Sequence, residues 1–347
     1  MVKKQGVASF VIMVAVMVCG VGSVPAANHI VKDGEPMAEI VLTEHPIRNV
    51  QLAAEELQTY IQKITGAELP IVNTKTQNMS AHIYVGESGH TERMGIDDSG
   101  LHHGAFRMKT VRDGLVLLGK DVDFVPIEPY PRSRADNERV YEEWDKMTGG
   151  RWRNPVASIY KGYNKKHDIR RGDTHGSLNA VYEFLRTLGV RWYMPGELGE
   201  IVPDRNSITI PDLDKTVKPE FMLRFMSFPR YAIADEDHIF WSMRLGLNNP
   251  YGYWIAHGTR ALASREAMKK AHPEYYAVFN GRHRPESGHV CYSSEGFLKE
   301  NVAFVRALFD IYDFQMVSVM PEDGFSHACE CEECMKKATP ERTSAGK

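Results

Sequence analysis

Apolar residues recur at two different periods through the first 120 positions, and each period predicts its own kind of element. Ala38 to Thr43 (AEIVLT) is an apolar run of strand length. From Ile47 to Ile64, residues Val50, Ala54, Leu57, Ile61 and Ile64 fall three or four apart, so they share one face of a helix. Thr65-Gly66 ends that helix, because glycine tolerates the left-handed conformation past a helix terminus. Short strands are expected at Leu69 to Val72, His82 to Val85, Phe106 to Val111 and Leu115 to Leu118. Arg112-Asp113-Gly114 joins the last two as a hairpin.

Residues 121–172 break this regularity. The stretch is rich in proline, arginine and aromatics, with Phe124, Tyr130, Tyr141, Trp144, Trp152, Tyr160 and Tyr163. It is too long for a plain connection. It reads as an insertion with one short helix near Glu138 to Met147. The simplest reading is a surface excursion packed by its own aromatics; the functional one is a lid or platform on which sugar rings stack. Periodicity returns at Ser177 to Leu188, where Leu178, Val181, Leu185 and Leu188 make one helical face closed by Gly189. Strands follow at Val190 to Tyr193 and Ser207 to Ile210. A small α/β domain is therefore expected over residues 28–212, with Pro211, Asp214 and Pro219 marking a linker.

Residues 213–347 alternate again. Strands are expected at Phe221 to Phe228, Leu245 to Asn248, Tyr275 to Phe279 and Gln315 to Met320. Helices fit at Ala261 to Ala271 and Phe297 to Tyr312, and a polar tail runs from Thr339 to Lys347. Alternation of strand and helix is the pattern of a parallel α/β architecture. Four such units are half the number that closes a barrel of eight.

Composition changes the picture mainly at the N-terminus. Lys3 and Lys4 precede an uncharged run from Val7 to Val18. That run is too short to span a membrane, which takes about 20 apolar residues, and it fits the core of a secretory signal peptide. Val24-Pro25-Ala26 is a cleavage signature, so residues 1–27 are expected to be removed and the mature protein to be secreted or periplasmic. Cys19 is not expected to be lipidated, since Val18 is too bulky for a lipobox. The chain of 347 residues is 43% hydrophobic and 25% charged with a net charge of −3, and its length suggests about two domains. No basic stripe points to nucleic acid, and no second apolar segment points to a membrane span. A Gly-rich phosphate loop, an HExxH pair and a GxSxG elbow are all missing; the GESG at 86–89 lacks the elbow's spacing.

Beyond Cys19, the cysteines are Cys291, Cys329, Cys331 and Cys334. In an oxidising compartment they suit disulfides. Their spacing also suits one structural zinc, with Cys291 or His327 completing a tetrahedron around the other three. Either way the expected role is a staple holding the loop after the last strand. With no open site of histidine ligands, a catalytic metal is not expected.

Several segments resemble one group of proteins. AAEELQTYIQKITGAELPIV (53–72), IYVGES (83–88) and GSLNAVYEFLRTLGVRWYMPGELGEIVP (176–203) resemble the N-terminal domain of α-glucuronidases and β-hexosaminidases. HPEYYAVFNGRH (272–283) and SVMPEDGFSHACECEEC (318–334) resemble an uncharacterised family of large secreted bacterial glycosidase-like proteins. The resemblance implies a small α/β domain followed by a TIM-type (β/α)₈ barrel, of which residues 213–347 would be the first half and the chain a fragment. It also implies glycosidic bond hydrolysis on a polysaccharide or glycan, with no required cofactor.

Such hydrolysis generally uses carboxyl groups at the C-terminal ends of barrel strands. The related hexosaminidases carry adjacent carboxylates after barrel strand four. By that resemblance Asp323 would be the general acid and Glu322 its partner, in the order Glu-Asp here and not Asp-Glu. Asp-Gly is also a common turn pair. Arg224, Asn248, Asn249, Trp254, His257 and Asn280 are further candidates, since they sit at or just past expected strand ends. Arg, Asn and His bond sugar hydroxyls and Trp stacks on a ring. A non-catalytic carbohydrate-binding or cell-surface protein on the same scaffold is the alternative.

Overall fold

A computed structural model of the chain describes residues 29–131, 134–156, 162–164, 168–170, 172–226, 235–248, 251–323 and 327–338. The expected signal peptide, Asn249 and the polar tail from Thr339 lie outside them.

The first body is organised by a six-stranded mixed sheet. Its strands are β1 (Ala38–Val41), β2 (Ile71–Val72), β3 (Ala81–Val85), β4 (Phe106–Val111), β5 (Gly114–Gly119) and β6 (Asp214–Val217), in the order β6-β4-β5-β3-β1-β2. β1, β2, β3 and β5 run parallel, and β4 and β6 close one side antiparallel. The segment expected as a linker supplies β6, which pairs Asp214 with Lys109 and Val217 with Phe106.

Two helices, α1 (Arg48–Thr65) and α3 (Gly176–Thr187), cover one face. Alternation along the strands divides the core. Ile40, Ile83, Leu115 and Leu117 pack with Leu57, Ile61, Val181 and Leu185 of the helices. Val41, Tyr84, Val116 and Leu118 point to the opposite face, under Ile96 and Leu101. β5 is buried on both faces, which explains its unbroken LVLL run. Each fully buried Leu or Ile here contributes about 1.5–3 kcal/mol. Gly119, at the end of β5, faces Gly176 at the start of α3. A Cβ at Gly119 would lie 2.4 Å from the Gly176 carbonyl carbon. The two glycines let strand and helix touch backbone to backbone, and the Gly119 N–H donates to Ser177 Oγ at 3.0 Å.

The aromatic insertion is not an excursion packed only by itself. Phe124, Tyr130, Trp144 and Trp152 are buried in one core with Leu262, Tyr276, Phe304, Leu308 and Tyr312 from the second body. Trp144 lies on α2 (Asn137–Thr148) and stacks on Tyr312, centroids 5.8 Å apart. Its indole N–H donates to the Trp152 carbonyl at 2.9 Å, and the Trp152 indole donates to Glu300 Oε1 at 2.8 Å. The Tyr312 hydroxyl donates to the Pro129 carbonyl at 2.7 Å. The polar atoms of Trp144, Trp152 and Tyr312 are satisfied within the protein, so these rings belong to the core.

Packing also crosses in the other direction. Helix α4 (Asp235–Arg244) sends Trp241 and Met243 into the core of the first body. Arg244 reaches Glu56 Oε2 at 3.2 Å, and Tyr182 donates to the same oxygen at 2.9 Å.

The second body departs from four consecutive strand–helix units. Among the described residues, Phe221 to Met226 and Leu245 to Asn248 form no strand; their backbones pair in an isolated bridge between Arg224 and Asn248. The expected Ala261 to Ala271 helix is two, α5 (Thr259–Ala263) and α6 (Glu266–Ala271). The expected third strand is a small antiparallel hairpin, β8 (Val278–Phe279) with β9 (Arg282–His283). The parallel pair is instead β7 (Tyr253–Trp254) with β10 (Met316–Val317), joined through the long helix α7 (Glu295–Tyr312). Ser294 caps α7 by accepting from the Phe297 N–H at 3.3 Å.

Candidate active site

The C-terminal ends of β7 and β10 lie side by side, which sets two loops against each other. Past β7 comes Ala256-His257-Gly258-Thr259; past β10 comes Pro321-Glu322-Asp323. Gly258 allows the approach, since a Cβ there would fall 1.6 Å from the Ser318 carbonyl oxygen. The Met320 carbonyl accepts from both the N–H and the hydroxyl of Thr259, each at 3.3 Å.

This crossing brings together His257 and Asp323, two residues 66 positions apart in the sequence. His257 Nδ1 lies 2.6 Å from the Pro321 carbonyl oxygen, and Nε2 lies 3.1 Å from Asp323 Oδ2. A carbonyl can only accept, so Nδ1 carries a hydrogen. Nε2 then faces a carboxylate oxygen, and that contact needs a second proton between the two groups. The bond to Pro321 and the neighbouring Asp323 and Glu322 carboxylates accordingly raise the pKa of His257. The Asp323 side chain is 93% exposed and open to a ligand. Glu322 differs: its Oε1 is buried and has no hydrogen-bond partner among the described residues. Tyr292, half exposed, stands nearby. Burial raises its hydroxyl pKa, a hydrogen bond with Thr259 opposes this, and the Glu322 charge adds to it.

The other candidates are not gathered here. Arg224 donates to the carbonyls of Gly246, Phe221 and His103 at 3.0, 2.6 and 3.2 Å, and burial lowers its pKa. Asn248 is buried and donates to the Met222 carbonyl at 3.3 Å. Trp254 packs edge-on to Phe304 in the aromatic core, centroids 6.2 Å apart. Asn280 is a turn residue with φ of 53°, and its N–H donates to Glu330 Oε2 at 2.7 Å. No sequence motif marks Tyr292 or Thr259; the fold brings Tyr292 close to Thr259 and within reach of the Glu322 charge.

Beside this site the four cysteines converge. Their sulfur atoms all lie within 4.8 Å of one another, with Cys291 Sγ 3.6 Å from Cys331 Sγ and 3.7 Å from Cys334 Sγ. No disulfide joins them. His327, the other candidate fourth ligand, lies instead against the Phe279 ring, centroids 6.5 Å apart. Burial raises the pKa of Cys291 and Cys329; at Cys331 the Cys334 N–H and neighbouring thiols outweigh burial and lower it.

Residues 194–345 match a family described as a domain of unknown function (DUF4838). That stretch holds the β7–β10 crossing and all four cysteines. No curated protein matches the chain. Among solved structures, a family GH115 4-O-methyl-α-glucuronidase with specificity for decorated arabinogalactans is similar at 20% identity and a TM-score of 0.34. The similarity covers 56% of this chain and 19% of that protein, so this chain spans about one fifth of its length. No described helix is long and apolar enough to cross a membrane.

Proposed function

We propose that the protein is a glycoside-hydrolase-like enzyme acting outside the cytoplasm on a polysaccharide or glycan, with the His257–Asp323 pair as its proton donor. The observation that carries this reading is the position of His257, with Nδ1 2.6 Å from the Pro321 carbonyl oxygen and Nε2 3.1 Å from Asp323 Oδ2, an arrangement that suits a protonated imidazole. General acid catalysis requires a group that holds a transferable proton near neutral pH and exposes it to substrate. His257 Nε2 holds the proton, and the exposed Asp323 carboxylate receives it across their contact as it protonates the leaving oxygen. The resemblance of 318–334 to glycosidase-like proteins supplies the substrate class, and the signal-peptide character of residues 1–27 supplies the compartment.

In the reaction, the bond between the anomeric carbon and the leaving oxygen breaks, and that oxygen takes the proton from the pair. Glu322, the second carboxyl group, stabilises positive charge at the anomeric carbon or activates water. Water gives its hydroxyl to the anomeric carbon, and its proton restores the pair. No cofactor enters this scheme.

The test is turnover of aryl glycosides that differ in leaving-group acidity. Asp323→Asn is expected to lower kcat by about 10²–10⁴ on poor leaving groups. The effect should be far smaller on acidic phenols, which depart without protonation. Equal losses on both, or none, would remove Asp323 from the acid role. Glycan binding with no turnover by the unsubstituted protein would favour the carbohydrate-binding alternative.

A further inference from the structure

We propose that Cys291, Cys329, Cys331 and Cys334 bind one zinc ion in a closed tetrathiolate site that anchors the loop after β10. This does not rest on the hydrolase reading. Zinc–thiolate bonds of about 2.3 Å in a tetrahedron place neighbouring sulfurs about 3.8 Å apart. The 3.6 and 3.7 Å contacts from Cys291 match that edge. A disulfide would need a sulfur separation of about 2.05 Å.

Backbone geometry favours thiolates at the same place. The Val278 N–H donates to Cys329 Sγ at 3.3 Å, and the Cys331 N–H reaches the same sulfur at 3.5 Å. The Cys334 N–H donates to Cys331 Sγ at 3.4 Å, so Cys331 caps helix α8 (Glu332–Lys337) through its sulfur. Such N–H···S bonds spread the charge of a site that carries two net negative charges once four thiolates meet one Zn²⁺. Ligation releases the thiol protons and changes no oxidation state. It also shields the sulfurs from oxidation in the compartment expected for this chain.

The four ligands come from separate pieces of chain. Cys291 precedes α7, and the other three follow Glu322-Asp323 by six to eleven residues. The Glu330 N–H extends the β8–β9 hairpin by donating to the Val278 carbonyl at 2.9 Å. Four bound ligands leave no open position for substrate, so the ion is structural.

The experiment uses the full chain, purified without chelator, with metal measured by mass spectrometry and cysteine state by peptide mapping. The expected result is one zinc per chain with all four cysteines reduced. Replacement by Co²⁺ should give the visible absorption of a tetrahedral cobalt tetrathiolate. Cys291→Ser should lose zinc to a competing chelator at least about tenfold more readily, and His327→Ala should behave as the unsubstituted protein. If Cys291→Ser fails to fold, the cobalt spectrum of the unsubstituted protein decides. Disulfides among these cysteines, iron in place of zinc, or a cobalt spectrum without thiolate bands would each overturn the proposal.

Discussion

At the scale of single residues, His257 carries the most chemistry. Its Nδ1 hydrogen is committed to Pro321, so protonation is decided at Nε2 alone. The pKa is raised, first by the Pro321 carbonyl and then by Asp323. The histidine is therefore expected to titrate above its ordinary value of about 6.5, measurable by NMR. Asp323→Asn should bring that titration part of the way down, leaving the Pro321 contribution. An unchanged titration would mean that the two side chains do not meet in solution. The sign for stability follows from the raised folded-state pKa. The contribution is complete below the unfolded value near 6.5 and disappears as pH rises through the folded one. Activity that depends on the pair should fall over the same alkaline limb.

At the scale of elements, the aromatic insertion and the glycine contact are the decisive joints. Trp144, on α2, is fully buried and stacked on Tyr312. Trp144→Ala should destabilise the protein by about 3–5 kcal/mol in denaturant unfolding, from lost transfer energy plus a cavity. A loss below about 1 kcal/mol, the range of surface substitutions, would restore the insertion to the surface. Gly119→Ala should be destabilising by about 1–3 kcal/mol or more, because the new methyl meets backbone and not a movable side chain.

At the scale of the whole molecule, the two bodies share cores in both directions. The insertion of the first enters the second, and α4 returns to the first. Arg244 is the charged link. Burial opposes its charge, but Glu56, Tyr182 and Tyr60 around it raise its pKa. Arg244→Ala should cost about 3–5 kcal/mol, because it leaves Glu56 buried without its counter-charge. The double variant Arg244→Met with Glu56→Leu should recover part of that loss in the same unfolding measurement. Failure to recover any would place the cost in lost packing.

By itself the sequence determined the elements whose burial has a local signature. α1 and α3 were legible because one helical face is apolar, and β1, β3, β4 and β5 because short apolar runs sit between turn residues. The carboxyl pair after β10 and the run Cys329, Cys331 and Cys334 were legible because their members are neighbours in the chain. Tertiary structure alone decided the rest. Asp214–Val217 looked like a linker because an edge strand can stay polar, its pairing being made by backbone groups. Tyr253–Trp254 became the partner of β10 although two residues carry no period. The insertion's aromatics gave no sign of whose core they fill, since a buried ring in one body or another has the same sequence. The gathering of Cys291 with the other three cysteines, and the meeting of His257 with Asp323, depend on which distant segments packing lays side by side. That long-range geometry is set by packing, and no local pattern encodes it.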